Sequence, residues 1–136
     1  VTGANITVPY ITVVTRKAYG LGAQAMMGGS TKAPLATLAW PSGEFGGMGL
    51  EGAVRLGYRN ELEAVTDPVE REAMFQQMVD RMYEHGKALN AASHFEIDDV
   101  IDPADTRRWL ATLLRSTAPA PTWSARPKKR ANIDTW

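Results

Sequence analysis

A strand-forming run that breaks into glycine and then into helix formers sets the tightest limit on this chain. Ile11-Thr12-Val13-Val14-Thr15 is β-branched throughout and bounded by Pro9, the composition of a buried strand. It leads into Arg16-Lys17-Ala18-Tyr19-Gly20-Leu21-Gly22-Ala23-Gln24-Ala25-Met26-Met27. The order predicts strand, tight glycine turn and a short helix over Gly22 to Met27, with Gly28-Gly29 closing it in a left-handed turn. Such a junction aims backbone N–H groups at one point. The start of a helix carries unpaired donors and a partial positive charge, so a negatively charged oxygen can sit there. Glycine lets the backbone come close to it. By spacing alone the plainer reading is the better one, a strand-to-helix turn that needs small residues only to pack. It is not a dinucleotide fingerprint: Gly20-x-Gly22 lacks a third glycine at the right distance, and no acidic residue follows about twenty positions on.

The remainder alternates short apolar runs with helical patterns. Val1 to Val8 reads as a loop or a helix end, and Leu35 to Trp40 has the size and character of a strand. Pro41-Ser42-Gly43 turns the chain toward a short strand at Glu44-Phe45, and Gly46-Gly47-Met48-Gly49 approaches a helix over Leu50 to Leu56. Asp67-Pro68-Val69-Glu70 is a helix start, with Asp67 as cap and Pro68 in the first helical position. Met74, Phe75, Met78, Val79, Met82 and Tyr83 recur at helical spacing and predict an amphipathic helix to about His85, closed near Gly86. That methionine-rich stripe reads as a core or subunit contact rather than an adaptable partner-binding face. Lys87 to His94 predicts a short helix and Glu96 to Ile101 an edge strand. Asp102-Pro103 repeats the cap before a last helix whose apolar face is Trp109, Leu110, Leu113 and Leu114. From Thr117 to Arg126 the chain is rich in Pro, Ala, Ser and Thr, an extended arm leading to the basic cluster Lys128-Lys129-Arg130.

Composition removes several classes of function. The 136 residues suffice for one core-bearing domain, and fifteen basic against fifteen acidic residues argue against nonspecific nucleic-acid binding over the whole surface. Absence of cysteine excludes disulfides and thiolate metal sites. His85 and His94, nine apart, form no metal motif. No apolar run approaches the length of a membrane span. The chain begins at Val1 without a signal pattern and reads as a piece of a longer one.

Side-chain catalysis finds little support. None of the serines lies in a Gly-x-Ser-x-Gly elbow. Asp98 and Asp99 are neighbours that a strand would point to opposite faces, so they form no dyad. Glu44 stands as a weak acid–base candidate without a second carboxylate. The basic cluster reads as a solvated tail, since no aromatic residues interleave it.

Four blocks carry a resemblance. Val13 to Gly20, Ala39-Trp40-Pro41-Ser42-Gly43-Glu44-Phe45-Gly46-Gly47-Met48-Gly49, Phe95 to Arg107 and Pro127 to Ile133 are similar, in order, to segments of the carboxyltransferase (beta) subunits of biotin-dependent acyl-CoA carboxylases of the acetyl-/propionyl-CoA type. The resemblance implies an α/β fold, the C-terminal portion of a crotonase-like spiral with short strands flanked by helices. Residues 1–116 would belong to the second crotonase-like domain, and 117–136 would form a C-terminal arm. The family's first domain, which holds acyl-CoA, has no counterpart, so the fragment alone is expected to be inactive.

The implied reaction moves CO2 from carboxybiotin on a carrier protein to the α-carbon of an acyl-CoA, with backbone N–H groups stabilising the oxyanions. The family's biotin-side pair falls two and three residues after this Tyr, at Leu21 and Gly22; a Gly-Ala pair one residue later offers Gly22 and Ala23 instead. Tyr19, Gly20 and Gln24 are the implied substrate-binding residues. Gln24 stands where the commoner pattern has an Asp linked to acyl-chain preference, so a propionyl preference is not carried over. The resemblance further implies no metal, a biotin carboxyl carrier or biotin carboxylase subunit as partner, a homo-oligomer, and a bacterial cytoplasm or mitochondrial matrix. The rivals are a biotin-dependent decarboxylase of the same fold and a noncatalytic assembly module using the methionine-rich helix. The apolar faces of that helix and of the last one are expected to need a partner surface, because half a spiral supplies little of it.

Overall fold

A computed structural model describes residues 3, 6 and 8–117. Strand β1 (Ile11–Val14) is the β-branched run. It pairs in parallel with β3 (Ala36–Ala39), Ile11 opposite Ala36 and Val14 opposite Ala39. On the far side of β3 lies the short β5 (Asp99–Val100), also parallel, giving the order β1-β3-β5. All four residues of this central strand are buried, as a parallel strand covered on both faces requires. Its one polar member, Thr37, donates its hydroxyl to the Thr31 carbonyl at 2.6 Å and its N–H to the Asp98 carboxylate at 2.7 Å. Asp98 is therefore a structural acceptor.

A second sheet was not expected from the sequence in full. Lys17–Tyr19, read as part of a turn, is strand β2 and pairs in parallel with β4 (Glu44–Gly46), Lys17 opposite Glu44 and Tyr19 opposite Gly46. The partner lies 27 residues downstream, so no local pattern announces it. Helix α1 (Gly20–Met26) consequently begins two residues earlier than Gly22. It closes as the sequence predicts, with Gly28 at φ 80° and Gly29 at φ 112° in the left-handed region.

The remaining helices are α2 (Leu50–Gly57), α3 (Arg59–Ala64), α4 (Pro68–His85), α5 (Ala88–Ser93) and, after a 3-10 turn at Pro103–Asp105, α6 (Thr106–Arg115). The Asp67 carboxylate accepts from the Val69 N–H at 2.9 Å and that of Asp102 from the Ala104 N–H at 2.8 Å, the two caps read from the sequence. Helix α3 was not foreseen; Leu62 is its one buried residue.

Three apolar clusters hold these elements. One joins Val54, Leu62, Phe75 and Val79, with Met74, Met78, Met82 and Tyr83 packed against it. The methionine stripe therefore faces inward onto α2 and α3 and is partly buried there. A second cluster sets Trp109 and Leu113 against Ala36, Leu38 and Ile101. The chain thus covers part of both faces, through the unforeseen α3 and the buried central strand, while α6 keeps no fully buried residue and Leu114 is half exposed. The third cluster, under the glycine turn, consists mostly of small residues: Ala18, Ala39, Ala88 and Ala91 with Val14, Met27 and Ile97. The arm and its basic cluster lie outside the described residues, apart from Thr117, as does most of the stretch before Val8.

Candidate active site

Parallel pairing of β2 with β4 lays two glycine segments side by side. Gly20 has φ 66°, which favours glycine, and a Cβ built there would stand a tight 3.2 Å from the Gly47 carbonyl oxygen. Past this contact the chain turns into α1. Tyr19 is the N-cap, so Gly20, Leu21 and Gly22 occupy the first three helical positions, whose N–H groups have no partner within a helix. Ala23 comes fourth, the position whose N–H an α-helix turns toward the carbonyl of the N-cap residue.

This helix start forms one wall of a cavity of about 410 Å³. Gly20, Leu21, Ala23 and Gln24 line that wall, over a floor that includes Ala18, Met27 and Phe45. Opposite stand His85, Asn90, His94 and Glu96, from the end of α4 and from α5 and the turn after it. The two segments meet because the Phe45 N–H donates to the Gly86 carbonyl at 2.7 Å and the Ala88 N–H to the Gly43 carbonyl at 3.0 Å. Gly86 permits this approach, since a Cβ there would collide with the Phe45 carbonyl oxygen.

The polar groups of the cavity have defined roles. The His85 and His94 rings meet edge to face with centroids 6.1 Å apart. His94 Nδ1 lies 2.9 Å from the Asn90 carbonyl oxygen and 3.3 Å from Ser93 Oγ; the neutral tautomer with the proton on Nδ1 donates to that carbonyl and leaves Nε2 as an acceptor. On the opposite wall, Gln24 Oε1 is buried without a hydrogen-bond partner. An orphaned acceptor costs about 1–3 kcal/mol, which rotation of the amide toward a ligand donor would relieve.

Of the residues singled out from the sequence, Gly20, Leu21, Ala23 and Gln24 line the cavity; Gly22 sits among them in the exposed first turn. Tyr19 does not line it. Its hydroxyl donates to Glu44 Oε2 at 2.7 Å. Burial, and then this bond to Glu44, hold the Tyr19 hydroxyl well above the ordinary tyrosine range. Beside them the Tyr83 hydroxyl donates to Glu51 Oε1 at 3.0 Å, so Glu44 belongs to a structural network joining β2 and β4, with α2 and α4 adjacent. Asp99 Oδ1 accepts from the Val100 N–H at 2.7 Å. Among the described residues, no three His, Asp or Glu side chains gather to hold a metal. No described helix is long and apolar enough to cross a membrane.

The sequence reading missed the far wall. The sequence offers His85 and His94 as metal ligands, and His94 as a neighbour of Ser93 that a helix turns to a different side, but gives Asn90 and Glu96 no role; no local signal pairs that turn with β4.

Residues 3–133 match the carboxyl transferase domain family. The methylmalonyl-CoA carboxyltransferase 12S subunit of Propionibacterium freudenreichii subsp. shermanii is 44% identical over 127 residues, covering 86% of this chain and 23% of that protein. Among solved structures, a single-chain, multi-domain long-chain acyl-CoA carboxylase is 58% identical with a TM-score of 0.67, over 82% of this chain and 10% of that one. The transcarboxylase 12S structure with methylmalonyl-CoA and methylmalonic acid bound, described as a hexamer, is 39% identical with a TM-score of 0.73, over 88% of this chain and 24% of that one. The chain thus spans about a quarter or less of the length of these relatives.

Proposed function

The chain belongs to the carboxyl transferase domain family, and from that membership we propose that it forms the biotin-side part of a site moving CO2 from carboxybiotin to an acyl-CoA. The observation that carries the reading is the start of α1. Leu21, which lines the cavity, and Gly22 beside it carry N–H groups without helical partners in the first turn, where the partial positive charge of a helix start favours an oxygen that gains negative charge. Leu21 and Gly22 therefore fit the donor pair better than Gly22 and Ala23, because the Ala23 N–H belongs to the helix ladder.

The residues present fit a ureido group. Two N–H donors suit its oxygen, and the orphaned Gln24 Oε1 suits its N–H. Carboxybiotin, when bound, supplies the CO2; this chain's part is to hold the ureido oxygen and line the space where the acyl group is met. His94 on the opposite wall and the floor of Ala18, Met27 and Phe45 enclose that space. For the acyl group we take the long-chain class named for the 58%-identical protein. The carrier-borne biotin, a biotin carboxylase partner, assembly into a homo-oligomer and a cytoplasmic setting follow from the same family reading.

Gly22 supplies the test, in the full-length protein. Its φ is not positive and a Cβ built there meets nothing within 4 Å, so Gly22→Ala should fold and turn over like the parent. Proline is tolerated in a first helical turn but removes the N–H, so Gly22→Pro should fold and lose about 3 kcal/mol of transition-state stabilisation, roughly a hundredfold in turnover per folded enzyme. A folded Gly22→Pro protein, checked by circular dichroism, that retains normal carboxyl transfer would sink the assignment.

A further inference from the structure

Helix α5 ends in an arrangement that its sequence disfavours. The Glu96 N–H donates to the Ala91 carbonyl at 3.0 Å and the Phe95 N–H to the Ala92 carbonyl at 2.9 Å. That pair of bonds is the Schellman closure, which places the residue after the C-cap in the left-handed region, where glycine is the usual occupant. Here the occupant is Phe95, at φ 58°, the one described non-glycine residue with positive φ. A bulky aromatic residue there is a genuine outlier. Nor does the ring recover the cost by packing on the described residues, for Phe95 is 82% exposed. A strained residue whose ring gains nothing from the described residues is best explained by something that arrives from outside them.

The location says what arrives. Phe95 is flanked by His94 and Glu96, both in the cavity wall, so it stands on the rim. Across the cavity, Leu21 is 74% exposed. Leu21 thus lines an opening above a floor of Ala18, Met27 and Phe45, and Phe95 lies in the chain between two residues of the wall opposite. The reaction proposed above brings to this opening a thioester whose variable part is a hydrocarbon chain. Resting on that reading, we infer that Phe95 is a specificity-determining residue whose ring covers the acyl chain of the substrate and confers preference for long chains.

The test uses the full-length protein and saturated acyl-CoAs from acetyl to palmitoyl. Phe95→Gly suits the left-handed backbone, so the melting temperature should rise. The same change should lower kcat/KM for palmitoyl-CoA by about tenfold or more, the worth of burying an aromatic ring, while acetyl-CoA stays within about twofold. Phe95→Asn, which also tolerates this backbone, should show the same loss of long-chain preference. An unchanged or uniformly scaled chain-length profile overturns the inference while leaving the carboxyltransferase reading intact. A fall in melting temperature for Phe95→Gly overturns it too, since the ring would then pack within the protein. Absence of carboxyl transfer by the parent to every acyl-CoA overturns the underlying reading, and this inference with it.

Discussion

The helical region and the site region of this molecule are held together in opposite ways. Around α4, large side chains fill space between well-separated backbones: Val54, Leu62, Phe75 and Val79, with the methionines as gap fillers. Helix α4 runs for 18 residues and starts on a side-chain cap. Around the cavity the elements are short, the core is mostly alanine, and α1 buries no residue fully and has no side-chain cap. There the backbones themselves approach, as at Gly20 against Gly47 and Gly86 against Phe45. A site made of backbone donors gains from this construction. Main-chain positions are fixed by strand pairing, which side-chain rotamers cannot loosen.

Three substitutions test the contrast. The largest effect is expected for Phe75→Ala in the helical region. Phe75 is 8% exposed and lies under the Arg55 guanidinium, 4.8 Å from the ring centroid. Removing the ring should cost about 3–5 kcal/mol in denaturant unfolding. Turnover per folded molecule should hold, and a loss of activity beyond the unfolded fraction would show that the two regions are coupled. Next comes overpacking at the site. Ala88 is wholly buried, so Ala88→Leu should cost about 1–3 kcal/mol. Because α5 forms the far wall, this variant should also lose turnover when folded; tolerance of leucine with full activity would refute close backbone packing there.

The smallest effect is expected for Tyr19→Phe, which removes the bond to Glu44 between β2 and β4 and should cost about 0.5–1.5 kcal/mol. It also carries a pH signature. The folded protein raises the Tyr19 hydroxyl above its ordinary value of 10.0, so the stability it confers is complete below that pH and lost as pH rises through the folded value. Urea midpoints measured from pH 8 to 11 should fall more steeply in the parent than in Tyr19→Phe. Tyr83, raised chiefly by its bond to Glu51, supplies part of the remaining slope. Identical pH profiles would mean that the bond contributes nothing to the sheet.

Helix α4 was legible because its evidence is local: Asp67-Pro68 at one end, Gly86 at the other, and apolar residues at helical spacing between. The β-branched run of β1 and the left-handed Gly28-Gly29 were legible for the same reason. Strand β2 was not, since Lys-Ala-Tyr has weak strand character and owes its state to Glu44–Gly46. That pairing in turn moved the start of α1 to Gly20 and separated Leu21 and Gly22 from Ala23 as donors. Tyr19, read as a substrate-binding residue, has its hydroxyl committed to Glu44 in the folded chain.

Glycine placement, the stretches that bury themselves and the family are all legible along the chain. Local chemistry suffices for these: propensity, capping and periodicity act within a few residues, and family blocks are read in order along the chain. Tertiary structure alone decided which segments share the cavity. His85, Asn90, His94 and Glu96 reach the glycine turn only because β4 bonds to Gly86 on one side and pairs with β2 on the other. It also revealed the backbone of Phe95, an ordinary aromatic residue in the sequence. Its φ is set by two hydrogen bonds that close α5, and its exposure by everything the fold leaves off that rim.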